Sequence, residues 1–179
     1  MGKKFTDFVN SMNEQAKEKK KEFNPQERID FFKNLVKSLY DEIDEWLDEG
    51  LKQETIKTGL EPIQINEELL GPYTIDSKWI LIGNAKLMLL PVGTVMIGTN
   101  ARIDLIYKSQ SVMIVRTKES VEGPGNLISI HIEGKPVRRQ APTGKTVWKY
   151  VRDRKRLSYV TLNKDSFEDL IMDLVNETR

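Results

Sequence analysis

Two different hydrophobic periods divide this chain. From Trp79 to Thr117 the apolar and β-branched residues are at their densest, and they fall in short runs separated by turn residues, the pattern of consecutive strands. Gly83-Asn84, between Trp79–Ile82 and Ala85–Leu90, suits the positive φ angles of a two-residue hairpin. Pro91 has no ladder donor and Gly93 loosens the backbone, so a break between two strands is expected at Pro91. Gly98, Thr99 and Asn100 mark the next turn. Ile103, Leu105 and Tyr107 then recur at every second position within Ala101–Tyr107. Lys108–Ser111 reads as a turn and Val112–Arg116 as the following strand. Connections this short leave no room for helical crossovers, which favours an antiparallel meander over a parallel sheet.

The flanks follow the helical period. Phe5, Phe8, Val9 and Met12 have helical spacing that fades into the charged run from Glu14 to Glu22. Asn24-Pro25-Gln26-Glu27 combines an N-cap, a proline at the first helical position and a capping-box acid. From there Ile29, Phe32, Val36, Leu39, Ile43 and Trp46 recur at intervals of three and four, predicting a helix that ends near Gly50. At the other end Asp165-Ser166-Phe167-Glu168 reads as a capping box. Phe167, Leu170, Ile171, Leu174 and Val175 form the apolar face of a closing helix.

The rest is less sharply patterned. Thr55–Thr58 and Ile63–Ile65 have strand character, and Asn66–Leu70 has that of one helical turn stopped by Gly71-Pro72. Leu127–Ile132 alternates as a strand, Lys135–Thr143 reads as an exposed loop, and Thr146–Val151 with Leu157–Leu162 as a terminal hairpin turning at Arg152–Arg156. The expectation is an α+β protein: an N-terminal helical hairpin, a mainly antiparallel sheet or open barrel of about six to nine strands, and a capping C-terminal helix. Residues 1–50 are expected as a helical arm and 51–179 as the β-rich domain carrying the last helix.

Composition narrows the class. With 179 residues and 39% apolar content the chain is long enough for a sizeable core, and the absence of cysteine excludes a disulfide scaffold and a thiolate metal site. The first residues lack a signal-peptide core and no apolar run is long enough to span a bilayer, so a soluble cytoplasmic protein that does not engage the membrane is expected. The formal charge of +1 conceals a strong asymmetry. Residues 135 to 156 hold nine Lys/Arg against one acid, whereas Asp41, Glu42, Asp44, Glu45, Asp48 and Glu49 form an uninterrupted acidic pole. The two poles can attract each other within the chain or between chains.

Candidate chemistry is sparse. Gly144-Lys145-Thr146 has the ending of a phosphate-binding loop, but Arg139 stands where that motif needs glycine, and a strand pattern follows where a helix should. Asp104, Glu133 and Lys135 resemble the Asp…Glu-x-Lys arrangement of metal-dependent nucleases, in which two carboxylates hold Mg²⁺ and the lysine assists a water. The likeness is confined to these three residues. His131, the sole histidine, has neither a second histidine for zinc nor a cysteine to activate. No catalytic elbow or dinucleotide fingerprint occurs, no cofactor is implied, and an enzyme is not the favoured reading.

Two binding readings remain. The leading one is a non-enzymatic interaction module, a subunit of a cytoplasmic protein assembly. It would engage a protein partner, or itself, through the N-terminal helices, the sheet surface and the stripe Ile29, Phe32, Val36, Leu39, Ile43 and Trp46, although packing on the chain's own sheet is the commoner use of such a stripe. The alternative is a nucleic-acid or polyanion-binding module centred on Lys135, Arg138, Arg139, Lys145, Trp148, Lys149, Arg152, Arg154, Lys155 and Arg156. There cations would meet phosphates, and Trp148, with Tyr150 and Tyr159, would stack on bases.

Overall fold

A computed structural model describes residues 5, 6, 9, 24–94, 100–123, 131–132, 135–136, 142–153 and 158–176. Asn24 starts the long helix α1 (Pro25–Trp46): its side chain accepts from the amides of Gln26 and Glu27 and donates to the Glu27 carboxylate at 2.9 Å. A short helix α2 (Asp48–Lys52) turns the chain towards the sheet. Of the helix expected before Asn24, only Phe5, Thr6 and Val9 are described, and they are helical; the remainder of that expectation, and with it the helical hairpin, lies outside the described residues.

The sheet begins with two long strands, β1 (Ile56–Glu67) and β2 (Gly71–Ile82). They replace the short strands and helical turn expected between Leu51 and Asp76. The reason is an unbroken cross-strand register from Ile56↔Ile82 to Glu67↔Gly71, which draws even Gly59 and Pro62 into the ladder. Local propensity in this stretch is weak, and pairing overrides it. The meander continues through β3 (Ala85–Gly93), β4 (Arg102–Tyr107) and β5 (Gln110–Lys118). Gly83, with φ of +56°, makes the expected tight turn between β2 and β3.

Pro91 does not break β3. It pairs with Ile103, and the irregularity falls between Pro91 and Gly93. A proline is tolerated there because the bulge takes up the missing donor. Beyond β5, β6 (His131–Ile132) and β7 (Lys135–Pro136) form a separate small hairpin, so Lys135 begins in a strand and not in a loop. The chain then returns to the main sheet as β8 (Thr146–Asp153) and β9 (Ser158–Thr161). The spatial order is β1-β2-β3-β4-β5-β8-β9, a seven-stranded sheet in which every pair is antiparallel.

The last helix, α3 (Lys164–Asn176), starts one cap earlier than the Asp165 motif suggests. The amide of Ser166 donates to Asn163 Oδ1 at 3.0 Å, and the amide of Asn163 donates to Ser166 Oγ at 2.9 Å, a reciprocal box built on Asn163. Both helices close on the sheet. Ile29, Phe32, Val36, Leu39 and Ile43 share one core with Ile80, Leu87, Leu89, Ile103, Leu105 and Ile114 of the strands and Phe167, Leu170, Ile171 and Leu174 of α3. Trp46 meets Phe167 with ring centroids 5.6 Å apart, joining the two helices.

Along β2 the buried positions change phase, from Tyr73, Ile75 and Ser77 to Lys78 and Ile80. Up to Ser77 the strand pairs with β1 alone, and β3 joins at Lys78↔Leu89. A two-stranded ribbon twists more strongly than a wide sheet, and its inward face turns accordingly.

Candidate functional site

Where the ribbon leaves the sheet, a groove of about 620 Å³ opens between α1 and strands β1 and β2. One wall is the flank of α1 next to its core stripe, Lys33, Lys37, Tyr40, Asp41 and Asp44. Positions three and four apart on a helix share a face, so the spacing that buries Val36, Leu39 and Ile43 turns this second row towards the strands. The opposite wall is Thr58, Gly59 and Leu60 of β1 with Thr74, Ile75, Asp76 and Lys78 of β2. The volume lies within the range usual for ligand clefts.

The inner end of the groove is held by charge. Lys78 is 3% exposed and its Nζ donates to Asp44 Oδ2 at 2.7 Å, while Thr58 Oγ1 donates to Asp44 Oδ1 at 3.2 Å. The same ammonium lies 5.6 Å from the centre of the Tyr40 ring. An ammonium taken out of water at a core-facing strand position needs such compensation. The Tyr40 hydroxyl has one proton to share between the carbonyls of Leu89, at 3.1 Å, and Asp76, at 3.2 Å. Burial pushes this phenol well above the usual tyrosine range; the backbone bond at Lys78 acts the other way, and the Asp76 charge adds to the rise.

Charges along the groove divide into paired and unpaired. Lys37 and Asp41 are joined at 2.6 Å, and Lys78 and Asp44 at 2.7 Å. Lys33 and Asp76 have no ionic partner among the described residues. Leu60, 55% exposed, supplies an apolar lip on the outermost strand.

The stripe assigned to a protein partner is used inside the molecule. Ile29, Phe32, Val36, Leu39 and Ile43 are all buried, so these side chains are not on offer to another chain, and Trp46, half-buried, lies against Phe167. Much of the acidic pole is likewise engaged locally. Asp41 pairs with Lys37, Asp44 with Lys78 and Asp48 with Lys52, and Glu42 faces Arg116 of β5. No ion pair joins it to the 135–156 segment among the described residues.

The basic segment is partly structural too. Lys149 is 4% exposed, and its Nζ donates to the carbonyls of Glu119, at 2.6 Å, and Val121, at 2.8 Å, so it ties the chain after β5 to β8. Trp148 and Tyr150 are buried on the adjacent positions and cannot stack on a base, while Tyr159 is half-buried. Lys145 is exposed, and its amide donates to the Glu119 carboxylate at 3.3 Å. Lys135 lies on β7 and Arg152 on β8; Arg138, Arg139, Arg154, Lys155 and Arg156 lie outside the described residues.

The nuclease-like set is not assembled among the described residues. Both carboxylate oxygens of Asp104 accept from Arg102, each at 2.7 Å, a fork that also raises the guanidinium pKa, and Glu133 is not among the residues described. No cluster of three or more metal-ligating side chains occurs among the described residues. Gly144 has a φ of +88° and leads into β8, so the phosphate-loop ending opens a strand. No described helix is long and apolar enough to cross a membrane.

Sequence reasoning passed over the groove. Its one available signal was Lys78, which lies two residues before Ile80 and so intrudes on a core-facing row, but that row is known only once β2 is registered against β3. No family model, curated protein or solved structure matches the chain.

Proposed function

We propose that the protein is a non-enzymatic interaction module, a subunit of a larger protein assembly, whose recognition surface is the groove between α1 and the β1–β2 ribbon. The observation that carries this reading is the Lys78–Asp44–Thr58 cluster at the base of an open cleft. It links the two walls, and among the described residues the rest of the cleft keeps a lysine and an aspartate without ionic partners and an exposed leucine. A few convergent polar groups beside apolar surface is the usual build of a binding site.

The reading is tested by purifying the native protein from its own cells alongside Leu60→Asp and Lys33→Glu. The expected result is a stoichiometric partner retained by the parent protein and lost from both groove variants, with all three folded by circular dichroism. The same partners on all three proteins would remove the groove from the recognition surface.

A further inference from the structure

The groove's chemistry narrows the class of ligand, on the premise that the groove is the recognition surface. Two of its three lysines and two of its three aspartates already neutralise one another. What remains among the described residues is Lys33 on the helix wall and Asp76 on the strand wall. An excess of neither sign is left, which disfavours a phosphate or other polyanion and suits a ligand bearing both charges.

The rise along α1 between Lys33 and Tyr40, the neighbour of Asp76, guides its length. Asp76 sits beside Tyr40, whose hydroxyl meets its carbonyl. Lys33 is seven positions before Tyr40 on α1, which is about 10 Å at 1.5 Å per residue. An extended chain, at about 3.3 Å per residue, covers that rise in about three residues. Between them Asn34 and Thr74 each offer a donor and an acceptor, the mixture that a peptide backbone requires, beside the exposed apolar lip of Leu60.

The open edge of β1 is poorly suited to take the peptide as an added strand. Pro62 sits in the unbroken β1–β2 ladder, so its missing donor must lie on the outer side, where it interrupts any further pairing. We propose that the groove binds an extended peptide segment of about four residues, with an acidic group at the Lys33 end, a basic group at the Asp76 end and apolar side chains between.

The test is amide chemical-shift mapping of the whole protein with blocked tetrapeptides. The probes are Ac-Glu-Leu-Leu-Lys-NH2 and its reversed order Ac-Lys-Leu-Leu-Glu-NH2, the all-acidic and all-basic analogues, and octanoate as an apolar anion. Expected are shifts over 33–44, 58–60 and 74–78, with one of the two mixed-charge peptides binding about fivefold tighter than either single-sign analogue. Exchanging the charges in the Lys33→Glu/Asp76→Lys double variant should transfer the preference to the opposite order. Groove shifts with octanoate but with no peptide, or equal affinity for all four peptides, would overturn the peptide assignment while leaving the groove as a binding site. No shift at the groove with any probe would overturn both.

Discussion

Lys78 places its ammonium 2.7 Å from the Asp44 carboxylate, joining the middle of β2 to the last turns of α1, and the lysine is almost wholly buried whereas the aspartate is 40% exposed. The pair is therefore asymmetric. Removing Asp44 strands a buried cation, whereas removing Lys78 releases a carboxylate that can turn to water. Asp44→Ala is expected to cost about 1–3 kcal/mol, below the range for a fully buried pair because water reaches the aspartate. Lys78→Met, which keeps the stem and drops the charge, is expected within about 1 kcal/mol of the parent. Urea denaturation of both variants checks the order, and equal losses would show that the pair acts through something other than desolvation.

Lys149 separates a structural from a ligand-binding use of the basic segment. Its ammonium satisfies two carbonyls and is barely exposed. Lys149→Ala should destabilise by about 1–3 kcal/mol, because those acceptors lose their donor in a dry setting. Lys145→Ala, at an exposed position, should stay within about 0.5 kcal/mol. Heparin affinity across a salt series, measured on the same two variants while folded, should be insensitive to Lys149.

The start of α3 offers a position-specific test. Since Asn163 and not Asp165 caps the helix, Asn163→Ala should cost about 0.5–2 kcal/mol and Asp165→Ala a few tenths, read from thermal unfolding. A larger loss at Asp165 would return the cap to the position that the Asp165-Ser166-Phe167-Glu168 motif suggests.

Tyr40 makes stability depend on alkaline pH. Its folded-state pKa is raised, chiefly by burial, above the ordinary value of about 10. Between the unfolded and folded pKa values the unfolded chain gives up this proton while the folded protein keeps it. The contribution is therefore complete below pH of about 10 and is lost as pH climbs through the folded pKa. Tyr40→Phe should cost about 1 kcal/mol at neutral pH, through the bonds to Leu89 and Asp76, and should flatten the fall in urea midpoint above pH of about 10. An unchanged alkaline slope in Tyr40→Phe would assign that slope to other groups.

Much of the architecture was legible in the chain itself. The Asn24-Pro25 start, the stripe from Ile29 to Trp46, the Gly83-Asn84 reversal and the alternation of Ile103, Leu105 and Tyr107 are local signals, each set by a backbone preference or a single period, and α1, the β2–β3 turn and β4 follow them. The antiparallel direction of strands joined by tight reversals follows as well, because such turns leave them no other, whereas the pairing of β5 with β8 across residues 119–145 is set by the tertiary fold. Where local signals conflicted, at Gly59, Pro62 and Pro91, the ladder prevailed, since a strand's stability is largely cross-strand.

The stripe of α1 shows the limit of that reading. Its period establishes that one face must be dry, and cannot say whether a sheet or another protein dries it. The core shared with Leu87, Leu105 and Phe167 settled this in favour of the sheet. The meaning of individual charges was likewise decided only by tertiary structure. Lys78 and Lys149 lie in different parts of the sequence and look like any other strand lysine, yet one closes a groove with Asp44 and the other fastens a loop to β8. Secondary structure depends on spacing between near neighbours, which the sequence displays directly. A site depends on which distant residues come within about 3 Å of each other, and that is set by register, twist and packing acting together.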